Sequence, residues 1–150
     1  MDGQIVGTVL AIALKTAEGG PMREVRDAVG IVDGGLEGSV KPSPDRGITF
    51  LSSRQWTLVQ RELSGGMPWH TRRANVLIDA DSLGALIGRI VQVGELLVEI
   101  KGETRPCGLM DKLQPGLRVA LTPDHRAGVH GRVLRGGTLR VGDTMRLQAG

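Results

Sequence analysis

Residues 89–101 read RIVQVGELLVEIK, and this stretch decides the fold class. Its two halves, 89–93 and 96–101, are short runs rich in Val, Ile and Leu, a composition typical of β-strands. Gly94 and Glu95 separate the halves, and a two-residue connection that contains glycine favours a tight antiparallel hairpin. The stretch therefore predicts two paired strands.

Further strand signals recur at short spacing on both sides of this hairpin. The longest apolar run is 5–14 (IVGTVLAIAL), and residues 22–25 can return beside it after a Gly-rich turn. A second tight hairpin is predicted at 135–138, where two glycines separate strand-like runs. Many closely spaced strands predict a closed or partly closed β-barrel. The remaining strand signals lie at 48–51, 75–78, 129–134 and 144–147.

One segment has the pattern of a helix. Ser52 and Gln55 match a capping box, in which the serine oxygen accepts from the third amide and the glutamine reaches back. The helix is expected to run to about Leu63, and glycines follow it. Short helical turns are expected at 81–86 and 116–121. The predicted fold class is thus mainly β: a β-barrel with one main helix and a few short helical turns.

Composition limits the function classes. A chain of 150 residues suits one domain spanning 1–150. The 19 basic residues only slightly exceed the 16 acidic ones, they are spread along the chain, and aromatic residues make up 2%. Base stacking in basic surroundings needs aromatic platforms, so we expect no nucleic-acid partner. A local pocket for an anionic ligand is compatible with the charge of +3.

The cysteine count and the apolar runs bear on compartment. A single cysteine excludes an intramolecular disulfide and a Cys-rich zinc site. The apolar run 5–14 is too short to cross a bilayer as a helix. We therefore expect a cytoplasmic protein with a reduced thiol and no membrane partner.

Cys107 is the candidate reactive residue, in Arg105-Pro106-Cys107-Gly108 directly after a predicted strand. Proline fixes φ, and glycine permits a close approach of a ligand. Arg105 places positive charge beside the thiol, and thiolate is the form that ligates a metal or carries a sulfane sulfur. A buried structural cysteine is the alternative, although the polar flanks disfavour a core position.

Basic residues at strand ends form a second candidate group. Arg72 and Arg73 precede the strand 75–78, where guanidinium groups could bind a phosphate with Asn75 as a further donor. Lys15 ends the first strand and has the same interpretation. In each case the alternative is a solvated charge at a loop end.

Five pieces of the sequence carry a family resemblance: GGLEG at 34–38, TRRANVLID at 71–79, LGALIG at 83–88, Pro106-Cys107, and GRVLRGGTLRVGD at 131–143. In this order they resemble the MOSC domain, the module at the C-terminus of molybdenum cofactor sulfurases. The resemblance runs from about Gly3 to Leu147, and it implies a β-barrel-centred fold. Ser39 stands where family members often carry aspartate, and Ala74 interrupts the usual Arg-Arg-Asn run.

The resemblance implies a molybdenum site. Cys107 would bind molybdenum of the molybdenum-molybdopterin cofactor, as in the family's reductases. Arg72, Arg73, Asn75 and Lys15 would hold the pterin and its phosphate, and Arg105 would neutralise further negative charge. The expected function is a small reductase of N-hydroxylated compounds, with a small-molecule substrate and a separate electron-donor protein.

Two other functions remain open. The chain is alternatively a sulfur carrier or cofactor chaperone that uses a Cys107 persulfide, or a barrel kept as a binding module without metal. The stretch 30–46 is long for an internal loop, and such loops are usually functional or mobile. We expect it to lie over the site as a lid.

Overall fold

The computed structural model describes residues 3–41 and 43–148. Within these ranges the chain forms mainly β-strands, with three α-helices and short 3₁₀ turns. The helices are α1 (Ser53–Glu62), α2 (Gly108–Leu113) and α3 (Leu117–Ala120). The strands are β1 (Ile5–Lys15), β2 (Met22–Val25), β3 (Asp27–Ile31), β4 (Gly35–Leu36), β5 (Ile48–Ser52), β6 (Val76–Ile78), β7 (Ile90–Val93), β8 (Leu96–Glu103), β9 (Val129–Arg135), β10 (Gly137–Arg140) and β11 (Thr144–Leu147).

Seven strands close into a barrel in the order β1-β6-β5-β9-β8-β7-β11, and β11 pairs again with β1. The predicted barrel is therefore confirmed. Strand β1 is long and has register shifts near Gly7 and Ala11, so it pairs along its length with β11, β6 and β2. Among the strands of the described residues only β5 and β6 run parallel, and α1 lies in the crossover that a parallel pair requires.

The two predicted hairpins have different outcomes. Val93 pairs with Leu96 across Gly94, which has φ 56°, so the β7–β8 hairpin is confirmed. The hairpin predicted at 135–138 is wrong. Beyond β9 the chain leaves the barrel, and β10 pairs with β3 in a separate sheet of order β10-β3-β4. Glycine marks a change of direction in both places, but only the partner strand decides the pairing.

The expectation of a long open loop over 30–46 is wrong in part. Strands β3 and β4 occupy its beginning, and Pro44–Arg46 forms a 3₁₀ turn at its end. Asp33 and Asp45 both accept hydrogen bonds from Arg132 on β9, at 2.9 and 2.8 Å, which fixes the segment against the barrel. Pro42 lies outside the described residues, and the lid role of this segment stays a prediction.

Helix α1 begins as the capping pattern predicts, but the box is half formed. The Ser52 hydroxyl accepts from the Gln55 amide at 3.1 Å, whereas the Gln55 side chain donates to the Asp124 carbonyl instead of returning to Ser52. The apolar face of α1, with Trp56 and Val59, packs on a second cluster that includes α2 and α3. The three helices form a layer that packs on β5 through Leu51, and α2 of this layer begins directly after Cys107.

The barrel interior is almost entirely aliphatic. Ile78, Val98 and Ile100 are fully buried within one cluster of Val, Leu, Ile and Ala side chains, to which Phe50 and Met145 also belong. Such a core stabilises the fold through buried apolar area, at roughly 25 cal/mol per Å². In the described part of the chain, no helix is long and apolar enough to span a membrane.

Candidate functional site

A cavity of about 540 Å³ opens at the end of the barrel where β1, β5, β8 and β9 meet the 3₁₀ turns. Its wall brings together side chains that are far apart in sequence. Five of them are basic, and we call these five the cationic wall: Lys15, Arg46, Arg72, Arg73 and Arg105. Cys107 lines the same cavity.

Cys107 lies at the mouth of this cavity with an exposed side chain. Strand β8 ends at Glu103, the extended segment 104–107 follows, and α2 begins immediately after the cysteine. The Cys107 carbonyl accepts from the Met110 amide at 3.0 Å, but its side chain makes no capping hydrogen bond. The backbone is therefore fixed while the sulfur stays free to react.

Arg72 forms the floor of the cavity, and only 6% of it is exposed. Its Nε donates to the Ala127 carbonyl at 3.0 Å and its Nη2 to the Thr104 carbonyl at 2.7 Å, while Nη1 lies 3.8 Å from the Met110 sulfur. Burial lowers the pKa of Arg72 to about 10, and the nearby Cys107 sulfur opposes this shift. Among the described residues no carboxylate forms an ion pair with it.

The backbone that receives Arg72 depends on one glycine. Gly128 follows the acceptor Ala127 and has φ 95°, a region that favours glycine. A Cβ at this position would collide with the Phe50 carbonyl of β5. The Gly128 carbonyl accepts from the Thr104 amide at 2.9 Å. This bond joins the two backbone segments whose carbonyls, of Ala127 and Thr104, bind Arg72.

Arg73 adopts the left-handed conformation, φ 68° and ψ 31°, at the end of the 3₁₀ turn Trp69–Arg72. This uncommon backbone turns its guanidinium away from that of Arg72. Its donors bind the carbonyls of Gly20 and Ala17 in the turn between β1 and β2. Arg73 therefore both lines the cavity and holds the turn that supplies Glu18 to the wall.

Lys15 ends β1 inside the cavity. Partial burial lowers the pKa of Lys15, and the charges of Arg73, Arg72 and Arg46 lower it further, while Glu18 opposes the shift. Its backbone amide donates to the Ser39 hydroxyl at 3.0 Å. The part of the shift that burial does not cause reflects the excess of positive over negative charge around Lys15.

Asn75 lies behind the wall and is not among the residues that line the cavity. Its Oδ1 accepts from the amide and hydroxyl of Thr49 at 3.1 Å, and its Nδ2 donates to the Ala13 carbonyl and to Ser39. All of its amide groups are thus used inside the protein. These bonds make Asn75 a residue that positions β1, β5 and the segment of Ser39, whereas its predicted direct contact with a ligand stays a prediction.

Sequence reasoning missed Arg46 and His130, which also line the cavity. His130 Nδ1 lies 3.0 Å from the Asp45 carbonyl, and Arg132 binds the Asp45 carboxylate. These contacts hold the 3₁₀ turn that carries Arg46. No local pattern could have marked His130, because its position depends on the pairing of β9 with β8 and β5.

The cavity can bind an anion chemically. Two acidic side chains, Glu18 and Glu103, face five basic ones, so the wall carries excess positive charge. A buried or crowded cation without a counter-charge is costly, and a bound anion relieves that cost. In the described part of the chain, no cluster of three His, Cys, Asp or Glu residues offers a multi-ligand metal site.

The chain thus combines a closed seven-stranded β-barrel with a cationic cavity that is also lined by a free thiol. The MOSC domain family model matches residues 37–146, and the chain belongs to this family. MOSC domains are in general molybdenum-cofactor-binding domains. A search among curated proteins finds no match to this sequence.

Solved structures of other proteins have the same fold. The YuaD protein of Bacillus subtilis is similar with a TM-score of 0.78 and 16% identity, over 100% of this chain and 97% of that one. YiiM of Escherichia coli is similar with a TM-score of 0.73 and 16% identity, over 95% and 70%. YiiM of Geobacillus stearothermophilus gives 0.71 and 18%, over 97% and 75%. At these identities the likeness is one of fold.

Proposed function

We propose that this chain binds the molybdenum-molybdopterin cofactor in the cationic cavity, with Cys107 as the protein ligand of molybdenum, and reduces N-hydroxylated compounds. One observation carries the proposal: the exposed sulfur of Cys107 and the buried, ion-pair-free guanidinium of Arg72 line the same cavity. Thiolate is a soft ligand suited to such a metal. Membership of the MOSC family supplies the cofactor class.

The residues of the wall fit an anionic cofactor. Lys15, Arg46 and Arg73 would bind the phosphate and Arg72 the charge nearest to the sulfur, since guanidinium groups bind oxyanions through paired hydrogen bonds. Arg105, exposed beside Cys107, would neutralise charge at the mouth. The cavity volume lies within the range of small-molecule sites, about 300–1,000 Å³.

When bound, molybdenum would supply the change of oxidation state that removes the oxygen atom. The chain itself offers a proton site. His130 Nδ1 lies 3.0 Å from the Asp45 carbonyl, which only accepts, so Nδ1 carries the hydrogen and Nε2 is left as an acceptor. The hydroxyl oxygen leaves as water, so the reaction consumes electrons and protons. Because electrons are consumed, we propose a separate electron-donor protein. We also propose that the substrate is a small molecule and that the chain acts in the cytoplasm as a single domain.

The first experiment measures bound cofactor. The protein and Cys107→Ala are produced in a host that makes molybdopterin, and molybdenum and pterin are assayed in each. We expect metal in the unchanged protein and its loss in the variant. Lys112→Gln is the matched control, because Lys112 is exposed on α2, the helix that follows Cys107, and does not line the cavity. Equal molybdenum in Cys107→Ala would exclude the thiol as ligand.

A second function is favoured by the exposure of the sulfur. A thiol at an open mouth is accessible to a partner protein, as a sulfur carrier or a cofactor chaperone requires. Stable persulfide on Cys107 without bound molybdenum would support that function. Stoichiometric cofactor that neither a reductant nor an N-hydroxylated compound turns over would count against the reductase.

A further inference from the structure

Cys107 is the only cysteine in the sequence, and its sulfur is exposed. It precedes α2 without capping it, so no hydrogen bond restrains the side chain there. An exposed thiol reacts with small disulfides by exchange, at a rate set by its thiolate and by access. Exposure alone gives no preference between reagents.

A second, independent observation supplies the preference. Arg72 is almost completely buried, binds only carbonyls and a sulfur, and has no ion pair among the described residues. Arg72 and Cys107 line the same cavity. The positive charge of Arg72 thus faces the cavity that the sulfur opens into, and Lys15, Arg46, Arg73 and Arg105 add to it there.

We propose that Cys107 is a site of mixed-disulfide formation with small thiols that carry carboxylates, of the glutathione class, and that the cationic wall selects them over neutral and cationic thiols. The Cys107 thiolate attacks one sulfur of the oxidised small disulfide. The bond between Cys107 and that sulfur forms, the original disulfide bond breaks, and the other half leaves as a thiolate. The small disulfide is the oxidant, and a reduced thiol reverses the step.

This modification would regulate the proposed function. A mixed disulfide occupies the sulfur that we propose as the metal ligand and places carboxylates against the arginines that we propose for the cofactor. Oxidising conditions would therefore block loading of the cofactor, and reducing conditions would restore it. The exchange itself rests only on the cavity and the thiol, so it proceeds in protein that contains no molybdenum.

The test uses protein made without the cofactor. Exchange rates are measured by mass spectrometry with oxidised glutathione (net negative), hydroxyethyl disulfide (uncharged) and cystamine (net positive). Each rate is divided by that of a neutral small thiol with the same reagent, which removes intrinsic reactivity. Because the same thiol attacks all three reagents, its thiolate fraction cancels from the ratios of their rates. We expect glutathione to be favoured over cystamine by at least about tenfold, since charged clefts raise encounter rates by about 10–10³.

Variants locate the source of the preference. Arg105→Gln lowers the glutathione rate and Glu103→Gln raises it. The first variant removes a positive charge from the cavity lining, and the second removes a negative charge from it. Lys112→Gln also removes one positive charge, but outside the cavity, and it leaves the ratio of the glutathione and cystamine rates unchanged. Inorganic phosphate slows exchange with glutathione more than chloride does at equal ionic strength, because it occupies the wall.

Equal normalised rates for the three reagents would overturn the proposal, as would a thiol that reacts only after unfolding. Neither result touches the cofactor proposal, which is tested by bound molybdenum. Conversely, protein that never binds pterin but selects glutathione would retain this modification site and lose the reductase.

Discussion

The barrel interior and the cationic wall are built on the same strands but have opposite chemical character: the interior is apolar and buried, and the wall is positively charged. Inside the barrel, Val98 and Ile100 of β8 are fully buried among aliphatic side chains. At its end, the same strand leads through Thr104 to Arg105 and Cys107, which line the charged cavity. The interior contributes stability through apolar burial, whereas the wall gathers positive charges that repel one another. The wall therefore does not stabilise the fold as the interior does, and its excess positive charge fits the anionic cofactor proposed above.

The largest effect is expected in the interior. Ile100→Ala removes a side chain of 0% exposure from the barrel, and such truncations lower the free energy of unfolding by about 2–5 kcal/mol. Urea denaturation at neutral pH measures this loss. Val119→Ala is the control, because Val119 is 74% exposed on α3 and its truncation should change stability by less than about 0.5 kcal/mol. A loss near zero for Ile100→Ala would mean that the barrel does not carry the stability.

A smaller loss is expected where the barrel joins the helical layer. Ser52 ends β5, its hydroxyl accepts from the Gln55 amide, and it donates to the Ala80 carbonyl. Ser52→Ala removes the helix cap, so we expect the free energy of unfolding to fall by about 1–2 kcal/mol. Thr57→Ala removes an exposed hydroxyl within the same helix and serves as the control. Equal losses in the two variants would exclude a capping role.

The same contrast explains what the sequence could predict. The interior was predictable because period and turn chemistry act locally: the stretch 89–101 predicts the β7–β8 hairpin, and Ser52 predicts the start of α1. The 135–138 hairpin failed because a Gly-Gly pair fits a hairpin and a change of sheet equally well.

In the wall, a local pattern could place residues at strand ends but could not give their side chains a role. Lys15, Arg72, Arg73 and Arg105 do line one cavity with Cys107, whereas Asn75 is used inside the protein. His130 lies in a stretch predicted only as a strand and Arg46 in the predicted lid, so neither had a signal that marked it as a site residue. The pairing of β9 with β5 and β8 places His130 in the cavity, and the contacts of Asp45 hold the turn that carries Arg46. Helix α2, which directly follows Cys107, is only six residues long and had no periodic pattern to reveal it.

A change of opposite sign is expected in the wall. Lys15→Met removes one crowded cation, so the free energy of unfolding should rise by about 0.5–1 kcal/mol at pH 7, since half-exposed like charges cost about 0.2–0.5 kcal/mol per pair. The gain should shrink in high salt, which screens the repulsion. Denaturation of the cofactor-free protein measures it, with Lys112→Met as the control. A loss of stability would contradict the idea of a repulsive wall.

The pH dependence of Lys15→Met follows from the lowered pKa of Lys15. Between the folded pKa and the ordinary value of 10.5, the unfolded chain binds more protons than the folded one, so stability of the unchanged protein rises with pH. The variant lacks this rise, and the two stability curves should approach each other as pH increases. Parallel curves up to the ordinary lysine range would mean that Lys15 titrates as it does in the unfolded chain.

The smallest effect on stability is expected for the solvent-exposed ion pair between Arg132 and Asp45. The hydrogen bond from Arg132 holds the pKa of Asp45 below its usual value of 3.8. A carboxyl with a depressed pKa contributes stability above that value, and the contribution is lost as pH falls through the folded pKa. Arg132→Gln should therefore flatten the acid limb of the stability curve and leave neutral stability almost unchanged, because exposed ion pairs contribute little. Yet Asp45 also anchors the turn that carries Arg46, so the same variant should lower the preference of Cys107 for oxidised glutathione. If the acid limb flattens while that preference stays intact, the preference does not depend on the anchoring of Arg46 by Asp45.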